Sequence, residues 1–445
     1  MSLRGASAKP EAPPAVDPAP LNPPASSMNV PGIVALCGGM LLHVVLGTLY
    51  LWGSINSYTP GYMKNFSGEF DPAMATKVDT LQILPLTFVF MSLAMPFGAK
   101  LIERFGPTAV ALASGAMCGC GYLLASLCTS LLPFVICYAG VFGSGIGLGY
   151  TVPIVTGMKH FPNSKGTVSG LVLGAFGLGG FFFNIIGKAI FNPDDLGADK
   201  ETKLFPESVT GSFASGMRAL GIIYLVLCTI AAPLIRMPAA PARPGGAAAP
   251  AAAPGYTFMQ ALQTGTFWKM WFAIAFSGQV GLYIATVYKS IALGAPALRD
   301  DAYLSIVGAV GALSNGLTRP VWGIIYDRLG FRLCFSVVAG IQAVIIFLLP
   351  KLTFSPFLFM VCVMLSFTAL AGNMVMCPAE SVKIFGNAAV YGGLFTAFAA
   401  AGIFGVKIAS SVASIMGSDD GAFYFLCAMA ICAGVIVQFH KSPAK

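Results

Sequence analysis

The sequence predicts an all-α, multi-pass membrane protein with twelve transmembrane helices in two six-helix halves. Charged residues make up 9% of the 445 residues, hydrophobic residues 56%, and the mean hydropathy is +0.80. A soluble domain carries roughly 25% charged residues, so this composition excludes an ordinary soluble protein. The apolar runs are long enough for a helix to cross a bilayer, which takes about 20 residues.

The apolar runs form two groups of six. The first group lies at 31–56, 81–99, 107–129, 132–158, 167–190 and 214–235, and the second at 266–290, 302–326, 333–350, 354–377, 389–413 and 421–439. A stretch rich in alanine and proline separates the groups, as in a flexible linker. We predict a disordered cytosolic tail at 1–29, an N-terminal half at 30–235, a cytosolic linker at 236–263, a C-terminal half at 264–440 and a cytosolic tail at 441–445.

A loop sequence recurs after the second run of each half. Pro96 to Gly106 and Pro320 to Gly330 both read Pro-x6-acid-Arg-x-Gly, 224 residues apart. The repeat indicates two duplicated halves in parallel orientation, and the loop resembles the signature of the major facilitator superfamily. The resemblance implies that charged side chains of both loops bridge helix ends and favour one access state; they are Glu103, Arg104, Asp327 and Arg328. The alternative is that they are ordinary solvated turn charges.

The loop charges predict the topology. Lysines and arginines concentrate in the loops of one side, and most acidic residues lie in the opposite loops. The positive-inside rule therefore places both termini in the cytosol, and we expect the plasma membrane. The predicted outer loop 57–80 contains Asn65-Phe66-Ser67, an N-glycosylation sequon.

Arg319 is the most informative residue of the chain. It lies eight residues before Asp327, at a depth of about 12 Å from the predicted helix end. A cation at such depth costs at least ~2.5–3.5 kcal/mol on insertion scales, so it faces the bundle interior or a wet cavity. Asn315 lies one turn earlier on the same face and can bond the guanidinium without neutralising it. We expect Arg319 to bind an anionic substrate; the alternative is an acidic partner on another helix.

Several spaced motifs together resemble the oxalate/formate antiporter family, which is related to the monocarboxylate transporters. They are Gly47-Thr-Leu-Tyr50-Leu-Trp52, Gly143-Ser-Gly145-Ile-Gly147-Leu-Gly149-Tyr150, Gly174-Ala-Phe-Gly177-Leu-Gly179 and Asn315-Gly-x-x-Arg319-Pro320. The resemblance implies that Arg319 is the essential arginine of the eighth helix. It also implies that Tyr50, Trp52 and Tyr150 shape the substrate pocket.

The departures from this family bear on the substrate. The oxalate-binding members have a lysine in the eleventh helix where this chain has Phe398, and their tenth-helix tryptophan and tyrosine fall on Leu370 and Met374. Monocarboxylate transporters typically have an aspartate where this chain has Asn315. The second cation for a dicarboxylate and the proton-carrying acid are therefore both absent from their family positions.

Two other residues could replace the missing proton carrier or the missing second cation. His43, near the middle of the first run, could protonate near neutral pH or donate to a carboxylate, or it could be a packed neutral histidine. Lys407 in the eleventh run could be a displaced second cation, or it could snorkel outward.

These features predict a secondary active transporter of small organic anions, of the lactate, pyruvate or formate type, that works by alternating access. Protons or a counter-anion would be the coupling partner, the lipid bilayer the surroundings, and the protein a monomer without a nucleic-acid partner. The alternatives are a dicarboxylate antiporter of the oxalate type and a non-transporting nutrient sensor on the same fold. No nucleophile–base pair or metal-ligand set stands out in the sequence, so neither an enzyme nor a cofactor is expected.

Overall fold

The computed structural model describes residues 29–67, 80, 83–194, 196, 205–239, 255–293, 295–298, 301–418 and 420–440. The tails 1–28 and 441–445 and the linker core 240–254 lie outside the described residues, and so does most of the predicted outer loop. The described ranges contain twelve long helical segments. They are α1 Val30–Leu51, α2 83–105, α3 107–125, α4 Leu131–His160, α5 Lys165–Phe191, α6 Glu207–Leu234, α7 Gly265–Leu293, α8 Asp301–Leu329, α9 Phe331–Lys351, α10 Pro356–Phe385, α11 Ala389–Met416 and α12 Asp420–Gln438.

Ten of the twelve segments belong to helices that are both long and apolar enough to cross a membrane, and α7 and α8 are long enough. Within the described ranges, nine continuous helices are long and apolar enough to span a bilayer, and one of them, Ile83–Ala125, contains both α2 and α3. The α7 and α8 helices have 29 residues each, or about 43 Å, which exceeds the hydrocarbon thickness. The all-α, multi-pass fold is confirmed, and the described segments are consistent with the predicted twelve helices in two halves.

The repeated loop makes the same corner in both halves. Gly106 joins α2 to α3 with φ 78°, and Gly330 joins α8 to α9 with φ 80°. A side chain is strained at such φ values, so glycine permits a turn tight enough for the two helices to run back to back. The final glycine of the repeated sequence therefore has a direct structural reason.

Helix α10 extends further than the sequence predicts. It ends at Phe385 rather than near residue 377, and its extra turns contain Glu380. This carboxylate is buried, accepts a hydrogen bond from the Tyr326 hydroxyl at 2.8 Å, and lies 3.0 Å from Nε2 of His440. The predicted run stopped before this acid, but these partners stabilise the carboxylate inside the helix bundle.

The predicted outer loop 57–80 also differs from expectation. It begins with a helix, Thr59–Ser67, which contains the sequon residue Asn65. The Thr59–Ser67 segment packs against the bundle, because Tyr62 is buried, its ring lies 4.8 Å from that of Phe213 in α6, and its hydroxyl donates to the Ser126 carbonyl oxygen at 3.1 Å. Its local helicity could not be inferred from its low hydropathy.

The two halves meet closely along α5 and α8. A Cβ atom built at Gly170 would lie 2.6 Å from the Arg319 carbonyl oxygen, and one at Gly177 would lie 3.0 Å from Cα of Gly316. On the other side of the bundle, a Cβ at Gly392 of α11 would lie 2.7 Å from Pro96 of α2. Glycine thus allows backbone-to-backbone approach between the halves, as small residues do between membrane helices.

Candidate substrate site between the two halves

A cavity of about 790 Å³ lies between the halves. Its walls come from α1 and α5 of the N-terminal half and from α7, α8 and α10 of the C-terminal half. The lining includes Tyr50, Asn184, Lys188, Leu282, Asn315 and Phe367. Among the described lining residues, Lys188 is basic and none is acidic.

The cavity occupies one end of the bundle. It reaches Asn192 and Pro193, which follow the last turn of α5, about 39 Å from the first turn of that helix. At the opposite end, Asp327 accepts hydrogen bonds from the backbone N–H groups of Gly166 at 2.8 Å and Thr167 at 2.7 Å. The site is therefore reached from the end of the bundle that lies away from the repeated loops.

Arg319 lies beneath the floor of this cavity. Its side chain is 0% exposed. Nη1 donates to the carbonyl oxygen of Leu173 at 2.7 Å, and Nη2 donates to Oδ1 of Asn315 at 2.7 Å. Nη2 also contacts the sulfur of Met374 at 3.4 Å, whereas Nε has no hydrogen-bond partner in the described part of the chain. No described carboxylate pairs with Arg319, so its positive charge is solvated by dipoles and is not neutralised.

Asn315 holds the guanidinium in place. Its Nδ2 donates to the carbonyl oxygen of Phe367 at 2.8 Å, which fixes the amide so that Oδ1 points at Arg319. The four-residue spacing on α8 brings the two side chains together, as the sequence predicted. Because an amide both donates and accepts, it satisfies the α10 carbonyl and the α8 cation at once.

Gly177 lies between the cavity and Arg319. It lines the cavity, and a Cβ atom at this position would lie 3.5 Å from Cζ and 3.6 Å from Nε of Arg319. The neighbouring Phe176 places its ring 6.0 Å from the guanidinium carbon, within reach of a cation–π contact. The unpartnered Nε–H thus lies beside the glycine that separates it from the cavity.

Tyr50 in α1 and Trp52 just after it, the two aromatic residues predicted to shape the pocket, point in different directions. Tyr50 lines the cavity and packs edge-on against Phe176 at 5.8 Å. Trp52 is buried inside the N-terminal half against Tyr138 at 4.7 Å and Phe134 at 5.9 Å. Residues two apart on a helix differ by about 200° in direction, so they do not face one cavity together. The structure places Trp52 away from the site.

His43 and Tyr150 form an aromatic cluster behind the cavity. The His43 ring lies 5.3 Å from Tyr150 and 5.9 Å from Phe176, and neither ring nitrogen has a hydrogen-bond partner among the described residues. Tyr150 also packs against Tyr391 and Phe395 of α11 at 6.4 and 5.5 Å. Neither His43 nor Tyr150 is part of the described cavity lining, and Phe176 stands between His43 and Arg319.

The positions that depart from the family pattern lie in different parts of the C-terminal half, and Met374 is the one shown in contact with Arg319. Leu370 lines the cavity and Met374 contacts the guanidinium. Phe398 is buried and packs against Phe395 at 5.4 Å. Lys407 is exposed beyond the π-helical segment Ala401–Gly405 and is not part of the described cavity lining. The chain therefore has apolar side chains at the three positions where the oxalate-type pattern has a lysine, a tryptophan and a tyrosine.

The repeated acidic residues behave differently in the two loops. Asp327 caps the first turn of α5 with three bonds, the third from the Thr167 hydroxyl at 2.7 Å. Glu103 is exposed and has no hydrogen bond or ion pair with a described residue. Arg104 stacks over Phe105 at 5.2 Å, and Arg328 is exposed. In this conformation Asp327 bridges the two halves and Glu103 does not.

Sequence reasoning missed Phe176 and the carbonyl of Leu173. Phe176 lies inside the glycine-rich run of α5, and a ring between closely packed glycines could have been recognised as a site residue. The contact of Leu173 with Arg319 crosses between the halves, so no local pattern predicts it.

Comparisons with known proteins agree with this geometry. A family model described as "Major Facilitator Superfamily" matches residues 4–184. The chain is 25% identical to "Apicoplast pyruvate carrier 1" of Toxoplasma gondii over 87% of this chain and 85% of the relative. It is 26% identical to the "Oxalate:formate antiporter" of Oxalobacter formigenes over 81% and 83%. A shorter match, 25% identical over 33% and 34%, is to "Monocarboxylate transporter 13" of Bos taurus.

Solved structures show the same fold. The transporter FucP in its outward conformation superposes with a TM-score of 0.68 at 12% identity, covering 93% of this chain and 99% of that one. The proton:xylose symporter XylE superposes with a TM-score of 0.64 at 14% identity, covering 93% and 95%.

Proposed function

We propose that the chain is a transporter of the major facilitator superfamily that carries small monocarboxylate anions; the family model over residues 4–184 and the similarity to an oxalate:formate antiporter and to a monocarboxylate transporter support this. The observation that carries this proposal is the buried and uncompensated Arg319 beneath a cavity between the halves. A fixed cation at membrane depth favours an anionic ligand. Relatives named as a pyruvate carrier and an oxalate:formate antiporter support the carboxylate class.

The substrate carboxylate binds the Nε–Nη2 edge of Arg319. Nε has no partner, and Nη2 makes a weak contact with the Met374 sulfur that a carboxylate oxygen can replace. Two parallel N–H donors suit the two oxygens of one carboxylate. Asn315 keeps the guanidinium in position, and Tyr50 forms the cavity wall above it. His43 and Tyr150 support the site from behind Phe176.

Transport proceeds by rocking of the two halves around this site. The loop end is closed by the bonds between Asp327 and the first turn of α5 and by the packing of Pro96 on Gly392. The opposite end is open to the cavity. Release at the loop end requires these contacts to separate while the cavity walls close.

A dicarboxylate of the oxalate type is the second candidate, and the relative of that name favours it. The geometry favours it less. Phe398 occupies the position of the second cation, and Lys407 is exposed nine residues further along α11. A second carboxylate beside Arg319 would be desolvated without a charged partner, which disfavours its binding.

The proposal also covers the orientation of the protein, its membrane, its oligomeric state and its coupling partner. We propose that both termini lie in the cytosol, on the basis of the loop charges, and we further propose a monomer in the plasma membrane. Protons or a counter-anion would couple to the substrate. Accessibility of terminal epitopes in intact and permeabilised cells tests the orientation.

Uptake by the full chain in proteoliposomes tests the proposed function. Labelled pyruvate and lactate are offered with a pH gradient, with an internal monocarboxylate, and with neither. We expect saturable uptake that one of the two gradients stimulates, with oxalate a weak competitor. Absence of saturable monocarboxylate uptake in all three conditions contradicts the proposal, and strong competition by oxalate supports the second candidate.

A further inference from the structure

A second, smaller pocket adjoins the substrate site. It has a volume of about 120 Å³ and lies between α2, α7, α10 and α11. Its walls include Leu84, Phe88, Leu282, Met374, Phe398 and Ile403. All of the described lining residues are apolar, so the pocket offers no hydrogen bond from a side chain.

Two residues connect this side pocket to the carboxylate site. Leu282 belongs to the walls of both the large cavity and the side pocket. Met374 lines the side pocket, and its sulfur lies 3.4 Å from Nη2 of Arg319. The proposed carboxylate replaces that sulfur contact at the same edge of the guanidinium. Methionine has a flexible side chain that can change its rotamer to let a ligand pass.

We propose that the side pocket binds the hydrocarbon tail of the substrate and selects monocarboxylates with a short apolar chain over formate. This inference rests on the proposed monocarboxylate function and adds which monocarboxylates fit. Phe398, which replaces the family's second cation, is here the wall of a site for an apolar group. The side chain that removes the second charge thus also creates the apolar surface.

The size of the pocket sets the expected chain length. At about 30 Å³ for a water-sized group, the volume holds roughly four non-hydrogen atoms beyond the carboxylate. Each methylene that leaves water should raise affinity about fourfold until the pocket is full. A terminal hydroxyl should cancel the gain, because it would be buried without a partner.

Competition against labelled pyruvate uptake tests the inference. The competitors are formate, acetate, propionate, butyrate, valerate and 4-hydroxybutyrate. In wild type the inhibition constants should fall at least tenfold from acetate to butyrate, reach a plateau near valerate, and rise again for 4-hydroxybutyrate. A series that is flat with chain length overturns the inference while leaving monocarboxylate transport standing.

Two variants separate the pocket from general hydrophobicity. Ala399→Phe places a ring in the side pocket and should bring the inhibition constants of acetate and butyrate within about twofold of each other. Ser411→Phe adds the same ring at an exposed position of the same helix and should leave the wild-type series unchanged. Phe398→Ala enlarges the pocket and should move the plateau to chains longer than valerate.

The outcomes separate failure of the proposed function from failure of the side-pocket assignment. If wild type takes up no labelled monocarboxylate, the proposed function fails and the inference with it. If wild type transports pyruvate but Ala399→Phe keeps the butyrate preference, the tail lies elsewhere and the side-pocket assignment alone is wrong. If Ala399→Phe does not fold, the wild-type series and Phe398→Ala still decide the matter.

Discussion

Asn315→Asp would give Arg319 the acidic partner that it lacks in this structure. The Oδ1 atom already lies 2.7 Å from Nη2, so a carboxylate at this position would form a buried ion pair without moving the backbone. The substrate would then approach a site whose net charge is about zero. The variant would also lose the Nδ2 donor that bonds the Phe367 carbonyl at 2.8 Å.

The expected rise in KM follows from the hydrogen bond to Arg319 that the substrate loses. A hydrogen bond to a charged group contributes about 1.5–3 kcal/mol. Since 1.4 kcal/mol is a factor of ten, the KM of the variant for a monocarboxylate should rise roughly tenfold to a hundredfold at neutral pH. Acidification should reverse part of this rise, because a protonated carboxyl group at position 315 no longer neutralises Arg319. Wild type has no carboxyl group at position 315, so its KM should not fall on acidification for this reason.

The assay is initial-rate uptake of a labelled monocarboxylate at neutral and acidic pH. Asn184→Asp is the matched control, because Asn184 lines the same cavity and has no bond to Arg319. It should change KM by much less. An unchanged KM in Asn315→Asp, or an equal rise in the control, would refute the reasoning that the uncompensated charge of Arg319 binds the substrate.

Three further perturbations test other parts of the account. Asp327→Asn replaces one acceptor by a donor at the first turn of α5, so amide hydrogen exchange of residues 165–170 should become faster. Unchanged exchange would show that this cap does not hold the loop end closed. His43→Gln should preserve the pH profile of uptake and lower the melting temperature, because an imidazole packed in an aromatic cluster stabilises the N-terminal half. Loss of the pH dependence would instead identify His43 as the proton carrier. Phe398→Lys should make oxalate a stronger competitor, since it restores a second cation beside Met374; a competitor profile like that of wild type would place the second-cation position elsewhere.

Much of the fold could be predicted from the sequence because its causes are local. Membrane crossing depends on runs of apolar residues, and most of the observed helices begin and end within a few residues of the predicted runs. The repeated loops also repeat their geometry, since Gly106 and Gly330 adopt nearly the same positive φ. Helix α10 departs from prediction because Glu380 finds Tyr326 and His440, partners far away in the sequence.

The site was predictable where one helix builds it. Arg319 and Asn315 are four residues apart on α8, so their contact follows from helical periodicity. The role of Trp52 was not predictable, because hydropathy does not show which way a side chain of a wholly apolar helix points. Phe176 and Met374 reach Arg319 from two other helices, one in each half, and that arrangement is a property of the assembled bundle.

The central claim is that the charge of Arg319 binds the substrate. The most direct measurement is labelled monocarboxylate uptake by Arg319→Ala, with Arg319→Lys and Arg218→Ala beside it, in proteoliposomes that contain equal amounts of folded protein. Arg218 is exposed on α6 and is absent from the described cavity lining. We expect Arg319→Ala to lose uptake, Arg319→Lys to regain little because lysine lacks the planar fork, and Arg218→Ala to transport like wild type. Normal uptake by Arg319→Ala would contradict the account.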